Sequence, residues 1–442
     1  MMFTIIHILR ACNCKPSSPN TNYDIFTFVG FRFKLLHILV IVSSTYPCKK
    51  EEELMIYYRY RPANELSIKE LLYDEIYFGS SKENNDPYDG RQFYFFDKDV
   101  DKWKRLFECA WSKTEGINYS KWAKSLACIL AEKSPMSFQS AIDFDYIHAF
   151  HTMPNPPDFI NIIALSSLIK TYIDLYRPQE GYFASFSRSC DNHLMWSHYA
   201  SMYQGYCLLF KSINGELKQC PQRMRQSLYR PTKRGKPTRM SWSAPSSFAF
   251  EDVFYNDSTS CSDAFLRFPQ SVSACSFEEQ ERLELIKSQN RQYLEKNIAW
   301  SYEQESRLLL MSPSPWLSGN HVSLTKQERL FHYQATQLVG IILGPLMQSD
   351  YKQRIQEIVE LRMQRLDLVP DDAQVELFDF VVFEARLSDE VRNITIEPVR
   401  ILSGTEEIEK DDPGFIDKYT AWNNGWAIVF DGKRGAKRKQ IL

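Results

Sequence analysis

The chain has 442 residues, long enough for one large domain with additions or for two domains. Its 44% hydrophobic and 24% charged residues are those of an ordinary folded protein, which excludes a fibrous or wholly disordered chain. A net charge of −2 supplies no global field toward nucleic acid or membrane.

Ten scattered cysteines with no C-x-x-C pair exclude a zinc ribbon and argue against a disulfide framework. Reduced thiols in a cytoplasmic protein are expected. Residues 1–54 differ from the rest of the chain: they hold three of the ten cysteines and an apolar run, Leu35–Val42, too short to span a bilayer. They are expected to lie outside the core as an N-terminal extension, the alternative being a membrane-associating arm.

From Met55 the sequence becomes domain-like. Ile56–Tyr60 is an aromatic strand candidate, and Asn64 can cap a helix through Leu72 with Leu66, Leu71 and Leu72 as apolar contacts. Glu75–Ser80 is expected to form a second strand and Ser81–Gly90 a loop rich in turn formers. Residues 100–180 show helical spacing, with Trp103, Leu106, Phe107, Ala110 and Trp111 on one stripe and Ile162, Leu165, Leu168, Ile169 and Ile173 on another. These stripes are expected to be core.

The segment 182–210 reads as strand, turn, helix and strand. Its density of polar aromatic and titratable groups, among them Asp191, His193, Trp196, His198 and Tyr199, suggests a pocket wall. Residues 212–275 form a polar insertion in which Leu217–Arg239 carries eight Lys or Arg and no acid, a solvated loop with a weak capacity for phosphate or nucleic acid. Ser276–Glu279 is a capping box expected to open a helix to about Lys296, a scaffold without chemistry of its own. Ala299–Leu310, read as a strand, places Glu303, Glu305 and Arg307 on one face; the bland alternative is an exposed edge with a surface ion pair. Leu338–Gly344 is a buried strand, Ser349 caps the next helix, and Val375–Phe383 and Asn393–Val399 are two further strands. The basic tail 433–439 is expected to be disordered.

Four blocks, 57-YYRYRP-62, 76-IYFGSSKENNDPYDG-90, 185-SFSRSCDNHLMWSHYASMYQGYCLLF-210 and 300-WSYEQESRLLL-310, are followed by 338-LVGIILG-344. In this order they resemble the bacterial domain-of-unknown-function 2971 family, with its F-N-D-P-[FY]-D, S-F-S…M-W-x-H-Y-A and W-x-x-E-x-E-x-R patterns. Asn84 stands where the family usually has Phe. The resemblance covers about residues 55–365 and implies an α+β fold, a mixed or antiparallel central sheet with helical insertions. Residues 55–365 would be the family domain, with the polar insertion 212–275 inside it. Residues 366–442 would form a C-terminal appendage.

The polar residues of all four blocks are expected to converge on one pocket for a small-molecule or nucleotide substrate. A distant likeness to the ADP-ribosyltransferase fold implies NAD as substrate, in a toxin or phage-defence context. It assigns Arg59 or Arg61 to hold NAD, and Tyr77 or Ser80 to shape the nicotinamide pocket. Glu303 or Glu305 would steady an oxocarbenium-like transition state, and Asp86 and Arg307 would complete the binding set. His198 is the acid–base candidate. A phosphate-substrate hydrolase built on Asp86, Asp191, His193 and His198, or a non-catalytic ligand-binding or sensor domain, are the alternatives. No metal is assigned.

Overall fold

The computed structural model describes residues 55–440 apart from 113–118, 225–227, 232–236, 241–243, 259, 268–277, 279, 281–283, 285–286, 289, 314–321, 367–374, 404–405 and 432–434. The chain divides into two units, Met1–Lys50 and Glu51–Leu442. The first unit, and the expectations placed on residues 1–54, lie outside the described residues.

The larger unit is α+β. Among the described residues its main sheet has ten strands: β1 (Ile56–Arg61), β2 (Gly79–Ser80), β3 (Gly181–Ser187), β4 (Tyr206–Lys211), β5 (Glu251–Asp252), β6 (Glu305–Met311), β7 (Leu338–Leu343), β8 (Phe380–Leu387), β9 (Ile394–Ser403) and β10 (Glu406–Glu409). They lie in the order β5-β6-β3-β1-β4-β7-β8-β9-β10, with β2 beside β3. Every neighbouring pair is antiparallel except β7 and β8. A parallel pair needs a long crossover, and the helix Ser349–Leu366 supplies it. The sheet therefore continues into β8, β9 and β10.

Alternation along the strands separates two cores. Tyr57, Phe186, Leu208, Phe210, Leu308, Ile341 and Val382 face one side, where the helix Glu65–Tyr73 and the helix Ser349–Leu366 cover them. Tyr60, Cys207, Leu209, Ile342, Val381 and Phe383 face the other, beneath the helices His193–Tyr199 and Phe415–Asn423. A third core joins the five helices between Val100 and Asp174 to strand Tyr94–Phe96. Its buried side chains Trp103, Leu106, Phe107, Ala110 and Trp111, then Ile162, Leu165, Ile169 and Ile173, belong to the expected stripes, and Leu168 of the second stripe is half-buried.

Several local expectations change. Asn64 caps the Glu65–Tyr73 helix, its Oδ1 accepting the Ser67 N–H at 2.9 Å, but Leu66 faces solvent and Ile68 takes the inward position. The expected strand 75–80 is broken into Glu75–Tyr77, which pairs with Leu330–His332, and β2. Of the basic tail, the described part is not disordered: Gly435–Gln440 pairs antiparallel with Trp426–Asp431, and the latter also pairs with Val375–Leu377. The capping box 276–279 lies mostly outside the described residues. Beyond it Gln280, Glu284, Lys287, Ser288, Asn290 and Arg291 are helical as expected, but the helix does not reach Lys296: Gln292–Leu294 is a 3₁₀ turn, and Glu295–Asn297 is a strand parallel to Phe254–Asn256. Among the described residues no helix is long and apolar enough to cross a membrane.

The C-terminal helix Phe415–Asn423 is fastened to the sheet by Lys211 at the end of β4. Its Nζ donates to the Trp422 carbonyl at 2.7 Å and lies 4.4 and 4.5 Å from the ring centres of Phe378 and Trp422. Burial pushes the Lys211 pKa down to about 7, against the opposing pull of Asp379. The unfolded chain keeps the ordinary lysine value of 10.5. Between those values the unfolded state binds more protons, so the Lys211 contribution to stability rises with pH from about 7 to about 10.5. Lys211→Met is therefore expected to flatten the rise in urea midpoint between about pH 7 and about pH 9; an unchanged slope would show that Lys211 does not govern it.

Candidate functional site

Three separated blocks meet at one end of the sheet, around a fully buried arginine. On β6, residues 306, 308 and 310 turn to the first core, so Glu305 and Arg307 turn to the opposite face, two residues apart on one side of the strand. Arg307 has no exposed surface, and a buried guanidinium needs its charge and donors matched. Its Nε and Nη2 each lie 2.8 Å from an oxygen of the Glu305 carboxylate. Nη1 donates to the Tyr293 carbonyl at 2.6 Å, and Nη2 is paired with Asp89 at 2.7 Å. The Phe183 ring centre is 4.0 Å from the guanidinium carbon.

Asp89 comes from the D-P-Y-D segment of the loop after β2. Gly90 follows it with φ +68, a left-handed conformation, and a Cβ there would stand 2.7 Å from the Phe183 ring. The loop therefore closes tightly over the ring that covers Arg307.

Lys296 is the second cation. Its Nζ lies 2.5 Å from Glu303, 3.1 Å from Glu305 and 3.6 Å from Asp89. Glu303 is not on the strand. Ile298–Glu303 is a 3₁₀ turn, and Gln304 reverses the chain with φ 43 before β6 begins. The three charged groups still gather, although alternation along a continuous strand is not the cause. The exposed-edge alternative fails as well: Glu303, Glu305 and Arg307 are 3%, 4% and 0% exposed.

The helix His193–Tyr199 closes the cluster. Tyr199 Oη donates to Glu303 Oε1 at 2.6 Å, Asn192 Nδ2 donates to the Tyr302 carbonyl at 3.1 Å, and Ser187 Oγ donates to the Glu303 carbonyl at 2.7 Å. Asn192 caps this helix, accepting from the Leu194 and Met195 N–H groups. Asp191, a candidate for the hydrolase alternative, accepts from Ser189 Oγ at 2.6 Å. Gly205, which opens β4, lies against the Arg61 carbonyl with no room for a side chain.

The electrostatics follow from burial and pairing. Burial works against the Glu305 carboxylate, but Arg307 and Lys296 outweigh it and hold its pKa down at about 2. For Glu303 burial prevails over Lys296, with Glu305 adding to the rise, and its pKa goes up. Asp89 is also raised, by burial against Arg307 and Lys296. Lys296 is raised despite burial because Glu305, Asp89 and Glu303 surround it.

Beside the cluster a cleft of about 550 Å³ opens between the loop 85–93, residues 256–258 with Ser260, and the segment 292–300. Asp86, Asp89 and Lys296 line it, together with Tyr88, Phe93 and Trp300. Glu303, Glu305 and Arg307 stand behind this lining, with Asp89 and Lys296 as the link.

The remaining sequence candidates are placed elsewhere. Arg59 and Arg61 share the face of β1 carrying Tyr57, opposite to that of Glu305 and Arg307, because strand side chains alternate. Arg59 lies 5.3 Å from the Phe186 ring centre and donates to the Ser185 carbonyl at 3.5 Å; Arg61 pairs with Glu70. The sheet thus separates them from the carboxylates they were expected to join. Tyr77 and Ser80 both bind Glu83, which Arg329 also holds at 2.7 Å. His198 is exposed, with Nδ1 3.0 Å from Tyr302 Oη, and its neighbour Tyr199 makes the contact with Glu303. His193 meets the Arg392 carbonyl and Tyr203 instead.

Sequence reasoning missed Asp89, Tyr199 as a ligand of Glu303, and Lys296. The first two stood inside the quoted blocks. Lys296 carried no signal, because its position reads equally well as the basic end of a helix.

Removing one partner of a buried network strands the others. Arg307→Met leaves Glu305 and Asp89 without their main cation, and a loss of about 3–5 kcal/mol is expected from chemical denaturation. A loss below about 1 kcal/mol would show that the network is not charged in the folded state.

Residues 195–308 match the sequence model of a family described as a protein of unknown function, DUF2971. The match runs from the M-W-x-H-Y-A block to the W-x-x-E-x-E-x-R block, joining Tyr199 to Glu303, Glu305 and Arg307. No curated protein and no solved structure shows significant similarity to the chain. Over residues 195–308 the chain is thus similar to the DUF2971 family.

Proposed function

We propose that this protein binds a small polar molecule in the cleft between the loop 85–93, residues 256–258 with Ser260, and the segment 292–300, with Asp89 and Lys296 as its charged floor. The observation that carries this reading is their double position. Each lines the cleft and each is tied into the buried cluster behind it. A side chain locked from behind presents a fixed group to the front, which is how a site becomes preorganised. The aromatic side chains of Trp300, Tyr88 and Phe93 supply the apolar part that most small-molecule sites contain.

A second reading, ADP-ribosyl transfer from NAD, draws its support from one feature. Glu303 and Glu305 are close neighbours about one lysine, and their pKa values move in opposite directions. Such divergence suits acid–base work at a glycosidic carbon. Against it, Arg59 and Arg61 cannot hold NAD on the carboxylate side of the sheet, so Arg91 or Lys296 would have to serve. The carboxylate oxygens of Glu305 are, moreover, already occupied by Arg307 and Lys296. The binding reading accounts for this saturation, and we take it as primary.

Ligand-detected NMR with a library of small polar fragments is expected to find binders that compete with one another and are lost in Trp300→Ala. Binders that persist in that variant would move the site elsewhere. Incubation with NAD tests the second reading: nicotinamide release lost in Glu303→Gln would establish it, and no release from the wild type would remove it.

A further inference from the structure

The class of ligand follows from the groups left over once the buried cluster is satisfied. The cleft lining carries four carboxylates, Asp86, Asp89, Asp257 and Glu295, against two basic groups, Arg91 and Lys296. Lys296 is already within 3.6 Å of three carboxylates, so its charge is matched before any ligand arrives. Arg91 lies on the exposed rim, 5.4 Å from the Phe93 ring centre. An anion entering the cleft would meet a surplus of negative charge.

Gln292 gives a second and independent indication. It lines the cleft and is 4% exposed. Its Nε2 is engaged by Ser262 Oγ at 2.9 Å and by the Ser260 and Phe93 carbonyls at 3.4 and 3.5 Å. Its Oε1 is buried and accepts from no donor among the described residues. Buried acceptors are nearly always satisfied, so this one asks for a donor from outside the protein. Trp300 adds an aromatic wall, and aromatic faces attract cations while carboxylates neutralise them.

We propose that the cleft takes an organic cation, an amine or guanidinium whose N–H groups serve the Gln292 carbonyl and the surplus carboxylates while its body lies against Trp300. This rests on the cleft being the binding site. Asp257 and Asp86 stand at the entrance side, exposed and half-buried respectively, and Asp89 stands at the floor. A guanidinium or ammonium meets a carboxylate at each depth. A phosphorylated ligand meets Arg91 alone as a cation not already matched, against the surplus of carboxylates, and a neutral sugar leaves that surplus uncompensated.

The test uses the full chain with three probes of different charge: agmatine, ribose and inorganic pyrophosphate, followed by calorimetry and ligand-detected NMR. Agmatine is expected to bind, with affinity falling at least about fivefold between about 50 and about 500 mM NaCl as screening grows. Asp257→Asn, a change on the surface that leaves the fold intact by circular dichroism, is expected to weaken it roughly three- to tenfold. Gln292→Met is expected to weaken it by a similar factor, and Trp300→Ala to abolish it. Pyrophosphate or ribose binding that is lost in Trp300→Ala, with agmatine failing to compete, would overturn the cationic class while leaving the cleft as the binding site. Agmatine binding insensitive to Asp257→Asn and Trp300→Ala would overturn the proposal by placing the contact elsewhere. No probe responding to Trp300→Ala would remove both the class and the cleft.

Discussion

The burial of Arg307 is the constraint from which the rest of this end of the molecule follows. A guanidinium without water must find opposite charge and acceptors within the protein. Glu305, two residues earlier on the same strand face, supplies a two-point partner. One strand cannot supply more, so the remaining donors draw in other parts of the chain. Asp89 comes from a loop 218 residues away, and the Tyr293 carbonyl from the turn before Glu295–Asn297. Those two segments form the walls of the cleft, so matching the charge of one side chain also sets the shape of the opening.

Such a network does little for net stability compared with an apolar core of the same volume, because removing the charges from water costs about what their pairing returns. What it does is define geometry. Glu303 has one oxygen on Tyr199 and the other on Lys296, and Glu305 is held by Arg307 and Lys296. These carboxylates cannot turn without leaving a buried charge unmatched. The helix His193–Tyr199, whose polar density made it look like a source of chemistry, contributes a tyrosine that orients a carboxylate; its histidine remains on the surface.

The parts of the fold that repeat regularly were legible in the sequence. Helical stripes such as Trp103–Trp111 and Ile162–Ile173 became core because a 3.6-residue period admits few other placements. The 338–343 strand was likewise evident from its continuous apolar run. The blocks holding Asp89, Tyr199, Glu303, Glu305 and Arg307 were also recognisable, and they do meet. What could not be read was the face of the sheet to which each polar strand residue turns. Alternation gives the relative parity within one strand but not the parity between strands, which register decides. Arg59 and Arg307 therefore looked like members of one pocket and lie on opposite sides. Lys296 was invisible for a different reason. A base near the end of a charged, helix-like stretch suits the helix dipole, and only the tertiary fold shows that the chain has turned into a strand.

The charge balance of the cluster connects its interior to the cleft. Asp89, Glu303 and Glu305 face Lys296 and Arg307, three carboxylates against two cations. The balance is not distributed evenly. Glu305, between both cations, is held strongly ionised, while burial raises Glu303 and Asp89. The deficit of positive charge thus falls on the two acids farther from full compensation. One of them, Glu303, is closed off behind Tyr199 and Lys296. The other, Asp89, lines the cleft. A positive group placed there would complete the pairing that Arg307 and Lys296 leave one charge short. The negative character of the cleft is in this sense a consequence of how the buried arginine is accommodated.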